Sequence, residues 1–402
     1  MAVKPIKRKV EEPMKSSVKI LITILLILDL ALAALVFGPF DLSDGKLRLG
    51  KPQAETVQAE TLPPVTQAPT VITLPPETEP TVPPTTEATE PPTTAATEPE
   101  QNTFVLTFVG DCTLGTSPGT WNAAPGFIKT VGSNLTYPWK NVAGYFQADD
   151  FSLINLEGPF ADGGTPVNGK TSYRCPTEYI AMLTDNKIEA VTLANDHIHD
   201  YGDEGYASTL STLSDAGVYY TENKTSTLIP TDSGLVVGVY AVQQNDADKD
   251  AMAAAIEELK TKGAELIIVA PHWGIPGSHA VTDTQKELAH AAIDAGASIV
   301  VGTGPHVLQS IEEYEGGIIY YSLGRFVFGG SSISKEWDTV LIQQEVIRNA
   351  DGTFSLGNMT AIPASMGTRG GIFNYQPTLY QPDVNPKHQE SYDRVMEDLN
   401  LK

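Results

Sequence analysis

The sequence predicts an α/β layered fold for roughly its last 300 residues, and three observations predict it. Short apolar, β-branched runs alternate with amphipathic helical stretches. Those helical stretches close on glycine. Acidic residues and histidines recur just after the apolar runs. The first two features describe strands of a buried sheet joined by helices; the third bears on function.

The region ahead of this domain is of two kinds. Residues 1–19, with six Lys or Arg against Glu11 and Glu12, form a basic cytoplasmic tail directly before "ILITILLILDLALAALVFGPF". About 20 apolar residues suffice to cross a bilayer, and the basic flank orients the N-terminus to the cytoplasm. The expectation is a single-pass transmembrane anchor at 20–40, with the main domain extracellular. A cleaved signal peptide ending near "ALA" (31–33) is the alternative, and either form exports the rest. Residues 41–101 include "TLPPVTQAPTVITLPPETEPTVPPTTEATEPPTTAATEPE". A Pro/Thr/Glu-rich segment with so little aromatic surface cannot offset its ordering entropy, which predicts an extended, disordered stalk.

The remaining chain divides into a domain at 102–380 and a C-terminal tail at 381–402. Its length suffices for one sizeable core. Of the net charge of −23, residues 1–40 contribute +3 and 41–100 contribute −7, leaving about −19 on the domain. Such acidity argues against a nucleic-acid partner and makes binding a polyanion costly unless bound cations offset it. Two cysteines, Cys112 and Cys175, do not make a disulfide scaffold, and their pairing stays open.

In chain order the expected strands are "TFVLTFV" (103–109), "FSLINL" (151–156), "IEAVTLA" (188–194), "LVVGVYAV" (235–242), "ELIIVA" (265–270), "SIVVG" (298–302) and "GIIYYSL" (317–323). The expected helices are "DEGYASTLSTLSDAG" (203–217), "KDAMAAAIEELKTKG" (249–263) and "DTQKELAHAAIDAG" (283–296), each ending in a glycine suited to a C-cap.

The residues just past each strand carry the chemistry. Asp111 lies after the first strand, and Asn155 and Glu157 after the second. Asn195, Asp196, His197, His199 and Asp200 come after the third, while His272 and His306 come after later strands. Ligands of open α/β sheets bind outside the carboxyl ends of the strands, so five strands deliver carboxylates and imidazoles to one rim. Singly, a Gly-Asp after a strand is an ordinary turn, and a lone histidine an ordinary structural residue. Together they suit one or two divalent ions such as Mn, Fe or Zn, and hence metal-assisted phosphoryl displacement. His290 within a helix and His388 in the tail read as structural; His279 lies in a loop near His272.

The set "FVGDCTLG", "INLEGPF", "VTLANDHIHDYG", "VAPHWG", "VGTGPHVLQ" and "IYYSLGRFVF", in this order, resembles the CapA/PgsA-like capsule and poly-γ-glutamate biosynthesis family, a branch of the calcineurin-like metallophosphoesterases. The resemblance spans about residues 104–330. It implies a four-layer αββα sandwich with a metal site at the strand ends. It further implies Asp111, Glu157, Asp196, His272 and His306 as metal ligands, Glu157 as the carboxylate bridging two ions, and His197 as the catalytic histidine. Asp200 and Gly202 match the loop after that histidine, where they read as structural. Asn155, Arg174 and Arg325 are the candidate substrate-binding residues. The chain departs from the pattern at three positions: Gly304 replaces the first histidine of His-Pro-His, Arg325 replaces an asparagine, and Asp196 replaces another. Loss of a ligand weakens a metal site, which makes a single-ion or weakened centre one outcome.

Two functions fit these residues. One is a membrane-tethered, metal-dependent phosphoesterase acting on an anionic cell-envelope polymer or its precursor. The other is a catalytically degenerate member that binds or guides such a polymer within a membrane synthesis or export complex. A covalent hydrolase using Cys112 or a serine is a weaker third, since no G-x-S-x-G elbow is present.

Overall fold

The computed structural model of the protein describes residues 102–120, 126–167, 169–330, 336–368 and 373–402, with a two-residue antiparallel pairing of Phe40–Asp41 and Arg48–Leu49. The expected anchor and stalk otherwise lie outside the described residues. Two units divide the chain, Met1–Pro92 and Thr93–Lys402. Among the described residues no helix is long and apolar enough to cross a membrane.

Two mixed sheets form the second unit. One contains β1 (Thr103–Thr113), β2 (Phe151–Leu156), β3 (Ala190–Thr192) and β4 (Tyr219–Thr221) in parallel succession. The other contains β5 (Thr225–Pro230), β6 (Val236–Gln243), β7 (Leu266–His272), β8 (Ile299–Val301), β9 (Ile311–Tyr314) and β10 (Gly317–Tyr320), in the spatial order β9-β10-β8-β7-β6-β5. β11 (Arg325–Phe328) returns to the first sheet and pairs parallel with β1. β12 (Asp338–Arg348) lies antiparallel on the edge of β1 opposite β2, the same edge that β11 extends, followed outward by β13 (Phe354–Ser365) and β14 (Thr378–Leu379).

Side-chain alternation along the strands stacks these sheets. In β1, Phe104, Leu106 and Phe108 join Val237, Val239, Ile268 and Ile299 of the second sheet in one core. In β7, Leu266, Ile268 and Ala270 face that inner core, while Ile267 and Val269 face outward. The outward residues are covered by α5 (Lys249–Thr261) and α6 (Asp283–Asp294) through Met252, Ile256, Leu259, Leu288 and Ala292. Beyond the first sheet, α1 (Phe127–Val131), α2 (Ala143–Ala148), α3 (Ala181–Thr184) and α4 (Gly202–Ala216) pack Phe127, Phe146, Met182 and Leu213 on Ile154, Leu156 and Val191. The layers are therefore helix, sheet, sheet, helix. A buried aliphatic or aromatic side chain contributes about 1.5–3 kcal/mol, so the inner core and the two helix-covered cores together are a main source of stability.

The local signals act as expected. Asp248 caps α5, Thr282 and Gln285 form a capping box on α6, and Gly217 closes α4 in the left-handed conformation. The segment 381–402, expected as a tail, instead folds into α7 (Gln389–Asp398) and belongs to the domain. Val395 and Leu399 are buried in the inner core, and Arg394 and Tyr380 both bind the Asp338 carboxylate. Cys112 and Cys175 are both free and buried, and burial pushes each thiol well above its usual pKa, which removes Cys112 as a nucleophile.

Candidate metal centre

The rim is assembled by a fault in the β1–β2 ladder. Register shifts between Phe108 and Asp111, a bulge of the kind that re-aims a side chain near a functional site. Val109 and Cys112, three apart, consequently both face the outer core, which turns the intervening Asp111 toward the second sheet. Gly110 is required for this geometry: a Cβ there would lie 1.9 Å from the Gly324 carbonyl oxygen, and that oxygen accepts the Asp111 N–H at 2.9 Å.

Opposite it stands His306, on the turn after β8 and held at φ +61°. A non-glycine residue in that region is strained by about 1–2 kcal/mol. The turn directs its Nδ1 to within 2.7 Å of Asp111 Oδ2 and its Nε2 to within 3.7 Å of Glu157 Oε1. Asp111, Glu157 and His306 each offer one ligand atom, all within 4.8 Å of one another, the one such group among the described residues.

Neighbours fix each of the three. Asn155 Nδ2 donates to Asp111 Oδ1 at 2.9 Å, and Thr113 Oγ1 donates to Glu157 Oε2 at 3.3 Å. Burial alone would raise the Asp111 pKa, but the charge and hydrogen bond of His306 hold it below the ordinary aspartate value. Burial likewise disfavours charge on His306, yet Glu157 and Asp111 hold it above the usual histidine value. The two buried carboxylates thus favour positive charge between them, and a divalent ion binding there would supply it with the ring neutral.

His272 and Asp196 form a second flank. Thr303 Oγ1 lies 3.0 Å from His272 Nδ1, leaving Nε2 toward a cleft of about 140 Å³, 3.9 Å from Asp196 Oδ2. The His272 and His306 rings are 6.3 Å apart. Asp196 is 70% exposed. Gly304 adjoins this flank at φ +107°, and a Cβ there would lie 2.5 Å from Trp273 O, 3.0 Å from Trp273 N and 3.3 Å from His272 Nε2. The backbone itself, not only the missing imidazole, closes that ligand position.

His197 lies close enough to Glu157 and His306 to feel the charge of both. Its Nδ1 lies 2.7 Å from Asp200 Oδ2, and the same oxygen accepts the Tyr173 N–H at 2.6 Å. Burial works against its charge, but the Asp200 hydrogen bond and the charge of Glu157 outweigh it and raise the pKa.

Two expected substrate-binding residues are placed differently. Asn155 is buried, with its amide engaged by Asp111, Asn195 and Thr192; it positions Asp111 rather than facing a substrate. Arg174 lies 5.1 Å from the Tyr201 ring centroid, and its charge lowers the pKa of Asp162. His279, His290 and His388 make contacts remote from the three clustered ligands, with Leu308, Glu312 and Asn385 respectively. Thr113, Thr303 and Tyr173 belong to the centre without having been singled out. Thr113 carried a signal, since it lies two residues beyond Asp111 on one strand; Tyr173 carried none, being 24 residues from His197.

Two stacked mixed sheets between helices, with carboxylates and imidazoles gathered where strands end, define a layered α/β protein with a candidate metal centre at its strand ends. Residues 105–330 match the family model described as Bacterial capsule synthesis protein PGA_cap, and the chain belongs to that family. It is 29% identical over 235 residues to the PGA biosynthesis protein CapA of Bacillus subtilis (strain 168), covering 52% of this chain and 61% of that protein. It is 28% identical over 284 residues to the capsule biosynthesis protein CapA of Bacillus anthracis, covering 62% and 66%. The matches thus span just under two thirds of those relatives' length. Among solved structures, the NAD nucleotidase of Haemophilus influenzae aligns with 13% identity and a TM-score of 0.38, covering 73% of this chain and 62% of that one.

Proposed function

We propose that this protein is an exported, membrane-tethered accessory of capsule or poly-γ-glutamate biosynthesis, whose domain performs metal-dependent, phosphoesterase-type hydrolysis on an anionic envelope polymer or its precursor. The observation that carries the reading is the Asp111, Glu157 and His306 group, three ligand atoms within 4.8 Å. Family membership supports the biosynthetic setting, and the basic flank, apolar run and stalk composition support the tether.

The donor set fits a divalent ion. Two carboxylates and an imidazole suit Mn, Fe or Zn, and three protein ligands leave positions open, as in catalytic sites. Such an ion supplies Lewis acidity toward a phosphoryl oxygen and activates water at neutral pH. Asp111 and His306 hold one side, Asn155 orients Asp111, and Glu157 is the carboxylate available to a second ion. The Asp200 hydrogen bond to Nδ1 favours the protonated ring of His197, and Nε2 is the atom that would donate to a leaving oxygen. His272 and Asp196 offer a second ion only part of a ligand set, since Gly304 contributes nothing.

That incomplete flank favours a second reading, in which the domain binds an envelope polymer within a membrane synthesis or export complex without turnover. Mn content of the purified full chain, together with hydrolysis of a generic phosphomonoester and phosphodiester, separates the two. Hydrolysis predicts at least one ion per chain and turnover lost in Asp111→Asn. Bound Mn without turnover supports the binding reading. A chain that takes up no divalent ion when supplied, or turnover unaffected by Asp111→Asn, defeats the hydrolase.

A further inference from the structure

Arg325 begins β11 directly opposite Asp111 in the parallel register. Its guanidinium carbon lies 4.4 Å from the Phe328 ring centroid. Its Nε is shut off from solvent and has no hydrogen-bond partner. In a domain of about −19 charge, an arginine is expected to find a carboxylate, as Arg348 and Arg394 do with Glu265 and Asp338. Arg325 forms no ion pair among the described residues, although two buried carboxylates of the centre lie nearby. Stacking on Phe328 holds it in place.

That stacking belongs to a continuous wall. The Phe328 ring meets Tyr173 edge-on at 6.1 Å, and Tyr173 lies 4.4 Å from the His197 ring. Arg325 therefore stands at one end of the wall and the Asp200-bound His197 at the other. The guanidinium is close enough to favour ionisation of Tyr173. The strand position of Arg325 pairs it with Asp111 of the Asp111, Glu157 and His306 group, and its planar fork suits two oxygens of one oxyanion.

Resting on the metal centre proposed above, we infer that Arg325 is a substrate-binding residue that holds a non-bridging oxygen of a phosphoryl group, so that the substrate is a phosphate ester and a single ion plus Arg325 does what two ions do in a complete centre. The positions agree with that division of labour: the second flank lacks a ligand at Gly304, and Arg325 adds a fixed positive charge on the strand beside Asp111.

The test titrates inorganic phosphate, and separately acetate, into the Mn-supplied full chain by calorimetry, for wild type, Arg325→Gln and Arg325→Lys, with Mn content measured independently. Phosphate is expected to bind wild type more tightly than acetate does. Arg325→Gln should weaken phosphate binding roughly tenfold or more, and Arg325→Lys by less, with Mn content unchanged in both. Equal phosphate affinity in all three proteins overturns the inference while leaving the metal centre intact. Loss of acetate binding with phosphate unaffected overturns the phosphoryl assignment in favour of a carboxylate. If wild type takes up no Mn, the metal centre itself fails, and the same titration of the metal-free chain still reads the contribution of Arg325. Should Arg325→Gln not fold, Arg325→Lys keeps the comparison, because it retains the charge and loses only the fork.

Discussion

Gly304→His would put an imidazole where the family pattern has one, and the structure predicts that this will not restore a second metal position. Gly304 sits at φ +107°, where any L side chain is strained, and its Cβ would lie 2.5 Å from Trp273 O. Backbone strain costs about 1–3 kcal/mol, and forcing apart a packed contact costs about 1–3 kcal/mol more. Relief is hindered because Trp273 N–H donates to Thr303 O at 2.9 Å and Thr303 N–H donates to Pro271 O at 3.0 Å, tying the turn to β7. The expected destabilisation is therefore on the order of 2–6 kcal/mol, with Gly304→Ala nearly as costly because the penalty arises at Cβ. Urea unfolding measures the loss, and Mn titration measures the stoichiometry. Wild-type stability together with one additional Mn per chain in Gly304→His would refute the reasoning.

Asp149 provides a stability test away from the centre. Burial pushes its pKa from 3.8 up to about 8, opposed by Thr107 and reinforced by Glu189 and Asp150, so its native carboxyl stays protonated at neutral pH. Because the unfolded chain releases that proton first, its contribution to stability is fully present below about pH 4 and is lost as pH rises toward 8. Asp149→Asn should stabilise the fold by about 2–4 kcal/mol at pH 7 and by almost nothing at pH 4; an unchanged difference between those two pH values in chemical unfolding counts against this account. Asn155→Ala removes the donor to Asp111 Oδ1 and should weaken Mn binding about tenfold to hundredfold in direct titration; an unchanged Mn affinity would show that Asp111 holds its place without the amide. Asp200→Asn withdraws the carboxylate that favours protonation of His197. Turnover of an alkyl phosphate ester should fall about hundredfold, and that of a nitrophenyl ester, whose leaving group needs no proton, much less; equal losses on both would remove His197 as the acid.

Much of the architecture was already legible in local pattern. β-branched runs, glycine-closed helices and the capping residues Asp248 and Thr282 report on the backbone near them, and the elements they predict occur. The convergence of Asp111, Glu157 and His306 was legible as well, because strand ends in a layered sheet share one rim. Other features depend on partners distant in sequence. α7 comes after a segment with no strong apolar run, and its burial depends on the inner core and Asp338. Asn155 looks like a rim residue in sequence, yet its amide is consumed by Asp111, Asn195 and Thr192.

Residue type and spacing thus specified which side chains reach the rim, because strand periodicity and turn chemistry act over a few residues. Three points needed the folded chain. The bulge before Asp111 depends on the register between β1 and β2 and on the close approach of Gly324. Gly304 reads in sequence as a missing ligand, and only the Trp273 backbone packed against it makes the position unfillable. Arg325 reads in sequence as a candidate substrate-binding residue, and only the folded chain shows its place opposite Asp111, stacked on Phe328 and without an ion pair among the described residues. Those points depend on long-range contacts, which local sequence pattern does not encode.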